Sequence, residues 1–211
     1  MTMLKKYDLS GKEVGSHAVE DALLEVSAHS QSIKDYIVAI RNNQRQWSAN
    51  TKGRKEVQKT GRKPHPQKGQ GRSRQGCLAA PHYKGGGIVF GPKPKFDQHV
   101  RINRKERRAA VRFLLAEKIQ GQRVHILKNE EFDRPKTQRM ADFFNSMEWV
   151  NRRVLVLGNP EQPQEALFAS VRNIPKKEVG SVAQVNGYEL ARCQEIVVLE
   201  SALDQFLAIL T

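Results

Sequence analysis

The chain has 211 residues, 36 Lys and Arg against 22 Asp and Glu, and a formal net charge of +14. That length fits one domain or one and a half, and 38% hydrophobic residues supply a core too small to span the whole chain. Its apolar runs, such as Val154-Leu155-Val156-Leu157 and Ile196-Val197-Val198-Leu199, are far too short for a membrane span, and the opening MTMLKKYDLS lacks the apolar region of a secretory signal.

The first 40 residues carry a net charge of −2. Segments 4–9 and 12–14 read as edge strands around Ser10-Gly11. Ile33, Tyr36, Ile37 and Ile40 then follow the i, i+3, i+4, i+7 spacing of an amphipathic helix.

Residues 41–96 change character: fourteen basic side chains stand against the single carboxylate of Glu56, a net of +13. The segment holds nine of the fifteen Gly and five of the nine Pro, and its only Ile, Leu, Val or Met residues are Val57, Leu78, Ile88 and Val89. Such a stretch cannot bury enough apolar surface to offset its ordering entropy, so it reads as an extended loop that orders against a partner. Unstructured loops of this length are uncommon and usually functional. Each arm could reach on the order of 90 Å. A linker has no need of thirteen uncompensated positive charges, whereas a polyanion does. Gly and Pro break every candidate helix between Gly53 and Pro94, so no apolar face exists there for a membrane surface. Gly permits close approach to phosphate, Arg grips it through two hydrogen bonds, and Trp47, Tyr83, Phe90 and Phe96 can stack on bases. The pattern fits an irregular, folded RNA.

Segment 103–120 reads as one helix leading out of the loop. Its first half is basic, through Arg104, Arg108 and Arg112; its second half is apolar, through Val111, Leu115 and Ile119. Residues 97–112 add a net +4, and 113–211 come to −1. Beyond the helix, runs 124–127, 154–157 and 196–199 and a weaker 180–185 read as strands, continuously apolar as in a parallel sheet covered on both faces. Between them fall a helix carrying Met140, Phe143, Phe144 and Met147, a shorter one over 163–171, and a last one carrying Leu203, Phe206, Leu207 and Leu210, with Ser201 as N-cap. This alternation predicts an α/β layered domain.

Catalytic signals fail. Gly69-Gln70-Gly71 lacks a third Gly at dinucleotide spacing, no phosphate-binding P-loop exists, and Cys77 and His82 have no second ligand pair for zinc. Two distant cysteines make no disulfide framework and fit a reducing compartment; Cys193 reads as a buried thiol. His65, His82 and His99 read as RNA or solvent contacts rather than general bases. No catalytic residue, metal site or cofactor is expected.

The stretch GRKPHPQKGQGRSRQGCLAAPHYKGGGIVFGPKP at 61–94 closely resembles the extended-loop signature of the L-four family of large-subunit ribosomal proteins, bacterial in type. The matches are Gly61-Arg62-Lys63-Pro64, Gln67-Lys68-Gly69, Gly71, Arg74, Gly76, Pro81, Gly85-Gly86-Gly87 and Phe90-Gly91-Pro92-Lys93-Pro94. His65-Pro66 replaces an aromatic and a basic residue, and Gln70, Ser73 and Cys77 stand where Thr, Ala and Ser are commoner. The resemblance implies a three-layer α/β/α fold with a mainly parallel, Rossmann-like sheet, its body 1–42 and 97–211 interrupted by a basic extended loop over 43–96. It implies a structural constituent of the large subunit, cytoplasmic in the ribosome, that binds rRNA, supports assembly and lies beside neighbouring ribosomal proteins.

The expected rRNA contacts are Arg45, Lys52, Arg54, Lys55, Lys59, Arg62, Lys63, Lys68, Arg72, Arg74, Lys84, Lys93, Lys95, Arg101, Arg104, Lys105, Arg107 and Arg108. The loop tip, Arg62, Lys63, Pro64, His65, Pro66, Gln67 and Lys68, would reach the peptide exit tunnel and the nascent peptide. The rival readings are a non-ribosomal RNA chaperone or regulator and an α/β nucleotide- or RNA-modifying enzyme. The second would need convergent polar groups at the strand ends, and the sequence offers none.

Overall fold

The computed structural model describes residues 1–94, 99–129, 134–159 and 165–210. They form two compact units, one of residues 1–41 and 101–211, the other of residues 42–100.

The first unit is built on a six-stranded sheet in the order β2-β1-β3-β6-β4-β5. Strands β1 (Thr2–Tyr7) and β2 (Glu13–Val19) form an antiparallel hairpin. Strands β3 (Val124–Leu127), β4 (Val154–Gly158), β5 (Lys177–Ser181) and β6 (Glu195–Leu199) are parallel, and β1 joins them in parallel along β3. The helices are α1 (Ser30–Asn43), α2 (Arg104–Gln120), α3 (Thr137–Ser146), α4 (Glu165–Arg172), α5 (Gly187–Arg192) and α6 (Leu203–Ala208). None among the described residues is long and apolar enough to cross a membrane.

The central strands β4 and β6 are buried along their length, and β3 at every residue but His125, because both sheet faces are covered. On one face Ile126, Leu155, Leu157, Ile196 and Val198 pack with Tyr36 of α1, Leu115 and Ile119 of α2, Leu190 of α5 and Phe206 of α6. On the other, Leu127, Val154, Val156, Val197 and Leu199 meet Met140, Phe143 and Phe144 of α3 and Leu167 and Val171 of α4. The three-layer arrangement is the expected α/β/α fold.

Three sequence expectations need correction. The stretch 4–9 is no edge strand: Lys5–Tyr7 pairs with His125–Leu127, and only β2 lies at that edge. Leu4, 1% exposed, draws β1 into the core. The weak strand begins earlier than position 180, at Lys177, and Val182–Gln184 turns into a 3-10 helix. Its polar start is tolerated because the buried Lys177 Nζ donates to the carbonyls of Trp149 at 2.8 Å and Arg152 at 2.9 Å. Burial pulls that ammonium's pKa below its ordinary value. Ser201 does not cap α6. It lies inside a 3-10 turn, Glu200–Ala202, that runs straight into the helix, and the N-cap position itself is held by Ala202. The helix expected over 163–171 is described from Glu165; Pro163 and Gln164 lie outside the described residues.

Candidate nucleic-acid interface

Among the described residues, no helix or strand lies between Asn43 and Arg104. The second unit is instead a folded irregular segment held by its own backbone. Its ends are tied where Val100 N donates to Asn43 Oδ1 at 2.9 Å and Asn43 Nδ2 donates to Val100 O at 3.1 Å. Further along, Thr51 N donates to Pro92 O, Ile88 N to Lys52 O and Gly87 N to Ala79 O, at 2.9–3.0 Å. Cys77, Ala79 and Ala80 are its buried residues of apolar character.

Glycine is required where these paths cross. A Cβ on Gly87 would fall on the backbone of Gly53 and Arg54, and one on Gly86 on the carbonyl of Ala80. These two glycines serve the segment's own packing, not approach to a phosphate. Around Gly61, Gly69, Gly71 and Gly76 a Cβ would meet nothing within 4 Å, so the space there is open to a ligand backbone.

The basic side chains point outward. Arg45, Lys52, Arg54, Lys55, Lys59, Arg62, Lys63, Lys68, Arg72, Arg74, Lys84 and Lys93 are all exposed on the second unit. Arg101, Arg104, Lys105, Arg107 and Arg108 are exposed on the first. Lys95 and Phe96 lie outside the described residues. On α2 the expected division holds: Arg104–Arg108 is exposed, whereas Val111, Leu114, Leu115 and Ile119 are buried.

Several of these cations also hold the segment together. Lys93 pairs with Glu56 and donates to Thr51 O at 2.7 Å. Its ammonium and the Gly53 amide keep the Glu56 carboxyl below its ordinary pKa. Lys59 Nζ donates to Lys84 O at 2.7 Å. The Arg45 guanidinium sits 4.6 Å over the Trp47 ring. A hydrogen bond from the Ala79 amide, then one from Arg54, holds the Cys77 thiol below its usual pKa. Burial pushes the Cys193 thiol up to about 11. The segment therefore presents a dense outward positive field even though several of its cations also bond within it.

Within 62–68, Lys63 bonds to Gln67, and a ring nitrogen of the half-buried His65 lies 2.9 Å from Ser73 O. Thr60, Arg62, Pro64, Pro66 and Leu78 help line a recess of about 480 Å³ there. His82 bonds to Gln75 at 3.0 Å. Both histidines are thus held by their own chain, which the spacing of residues did not foretell. Sequence reasoning also missed the role of Glu56, although its being the sole carboxylate of the segment was a usable signal. Phe90 is fully exposed with a left-handed φ of +53°, beside the exposed Ile88 and Val89.

A sequence model of the ribosomal protein L4/L1 family matches residues 17–208. The chain belongs to this family. Family membership makes it a ribosomal structural protein and not an enzyme. Curated relatives agree over nearly their whole lengths. The large ribosomal subunit protein uL4 of Brevibacillus brevis is 36% identical over 203 residues, 96% of each chain. Those of Spiroplasma kunkelii and Lachnoclostridium phytofermentans are 34% and 33% identical, over 95% and 97% of each chain.

Proposed function

We propose that this protein is a structural constituent of the large ribosomal subunit, working in the cytoplasm within the ribosome. It binds rRNA through residues 42–112, supports subunit assembly, and lies beside other large-subunit proteins. The segment over 43–96 is an insertion into a single α/β domain, and its tip, Arg62 to Lys68, reaches the exit tunnel and the nascent peptide. The observation that carries this reading is the outward display of nearly all the protein's excess charge on a chain of the L4/L1 family.

The mechanism is electrostatic. Lys and Arg replace the counterions of the RNA, and binding of the isolated protein depends steeply on salt. With six to ten phosphate contacts, affinity falls by roughly 10³–10⁵ between 50 and 200 mM salt. Sedimentation of cell extracts tests the assignment. The protein is expected to travel with large subunits through a moderate salt wash; a pool that stays mostly free would favour a chaperone or regulator instead.

A further inference from the structure

A recess of about 700 Å³ lies on the first unit, built by α2, the 182–186 turn and the end of α6. Arg107, Arg108 and Arg112 form one wall, and Val111, Val182 and Ile209 contribute apolar surface. Arg112 Nε donates to Ile209 O at 3.2 Å, capping the last turn of α6 and leaving its other donors for a ligand. Among the described residues no acidic side chain lines the recess and no carboxylate pairs with these three arginines. Three positive heads beside an apolar floor form a site for an anion that also has an apolar face.

We infer that this recess takes one unstacked nucleotide of an RNA strand. The phosphate lies between Arg107 and Arg108, and the base or ribose covers the Val111, Val182 and Ile209 floor. The volume falls within the roughly 300–1,000 Å³ of small-ligand sites. Guanidinium groups bind phosphate through paired hydrogen bonds and offer flat faces to unpaired bases. An acidic peptide would satisfy the same arginines. RNA is favoured because the positive charge does not stop at the recess: Arg101, Arg104 and Lys105 carry it on towards and over the start of α2, matching a strand's repeating phosphates. This inference rests on the rRNA-binding reading above.

A photo-crosslinking amino acid at the exposed Gln184, in the full-length protein in growing cells, tests it. Large subunits are then isolated and the crosslink mapped. The expected product joins position 184 to one RNA nucleotide. Its yield should drop on the order of tenfold in an Arg107→Gln, Arg108→Gln double variant that still sediments with the subunit. Ala183→Trp, which fills the recess without removing charge, should lower it likewise. A crosslink to protein alone, or one to RNA that both variants leave undiminished, overturns the inference while the ribosomal reading stands. A protein that never sediments with large subunits removes both.

Discussion

Glu195 shows what a carboxylate does inside a protein most of whose charge is turned outward. It opens β6, and its side chain is only 7% exposed. His125 Nε2 lies 3.1 Å from one oxygen, and Arg152 Nη1 donates to the other at 2.6 Å. Burial alone would raise its pKa, but the bonds from His125 and Arg152 outweigh it and hold the group below 4.5. Because the folded value is depressed, the stabilisation is present above pH 4.5 and is lost as pH falls through the folded pKa. Glu195→Gln keeps the shape and removes the charge. Since the Arg152 side chain is half exposed, the expected cost at pH 7 is about 1–2 kcal/mol. Thermal unfolding should register this as a drop of roughly 2–4 °C per kcal/mol, closing in acid below the ordinary carboxylate range. A gap unchanged down to pH 3 would mean that the charge contributes nothing.

On the proposed function, helix α2 joins stability and RNA binding in one element, and its two halves should separate on mutation. Leu115 is fully buried, so Leu115→Ala should cost about 2–5 kcal/mol and leave the helix's exposed cations in place. Arg104→Gln and Lys105→Gln remove exposed charges, so stability should move within about 0.5 kcal/mol. The salt slope of RNA binding should become shallower by about one for each phosphate no longer neutralised. Denaturant titration and filter binding at several salt concentrations measure the two effects. Equal destabilisation by all three changes would contradict the division. This helix was legible because the change from Arg to Leu along it is large. The helices marked by Tyr36, by Phe143 and by Phe206 were legible for the same reason, each repeating apolar residues at helical spacing. Two features were not. Helix α5 has only six residues, too few for a periodic pattern, and is fixed by Asn186 accepting from Glu189 N at 2.9 Å. The start of β5 reads as polar, and partners distant in sequence, the carbonyls of Trp149, Val150 and Arg152 and the Phe144 ring, make a buried Lys177 acceptable. The exposed cations were open to sequence reasoning because charge density needs no partner to be seen. The recess beside Arg112 was not, since it joins residues over seventy positions apart.

For the whole molecule, residues 41–112 carry +17, more than the entire net charge of +14, and the remainder is slightly acidic. The apolar material divides the same way. Both hydrophobic clusters draw their members from residues 4–40 and 102–210. Removing 54–94 deletes ten cations and one carboxylate, a net of +9, and takes no residue from either cluster. Such a variant should therefore unfold cooperatively within a few degrees of the intact protein, with some self-repulsion relieved by the smaller charge. Its RNA affinity should fall steeply and its salt dependence flatten, because the basic region then keeps only Arg45, Lys52, Lys95 and the cations of 101–112. Calorimetry and RNA binding across a salt series, done on the same preparation, separate the two expectations. If the deletion abolished the cooperative transition, residues 54–94 would have to contribute to the core despite holding only Val57, Leu78, Ile88 and Val89 as aliphatic material. If RNA binding survived with its full salt slope, the positive field would belong to the shorter basic half of α2, and the long segment would need another purpose.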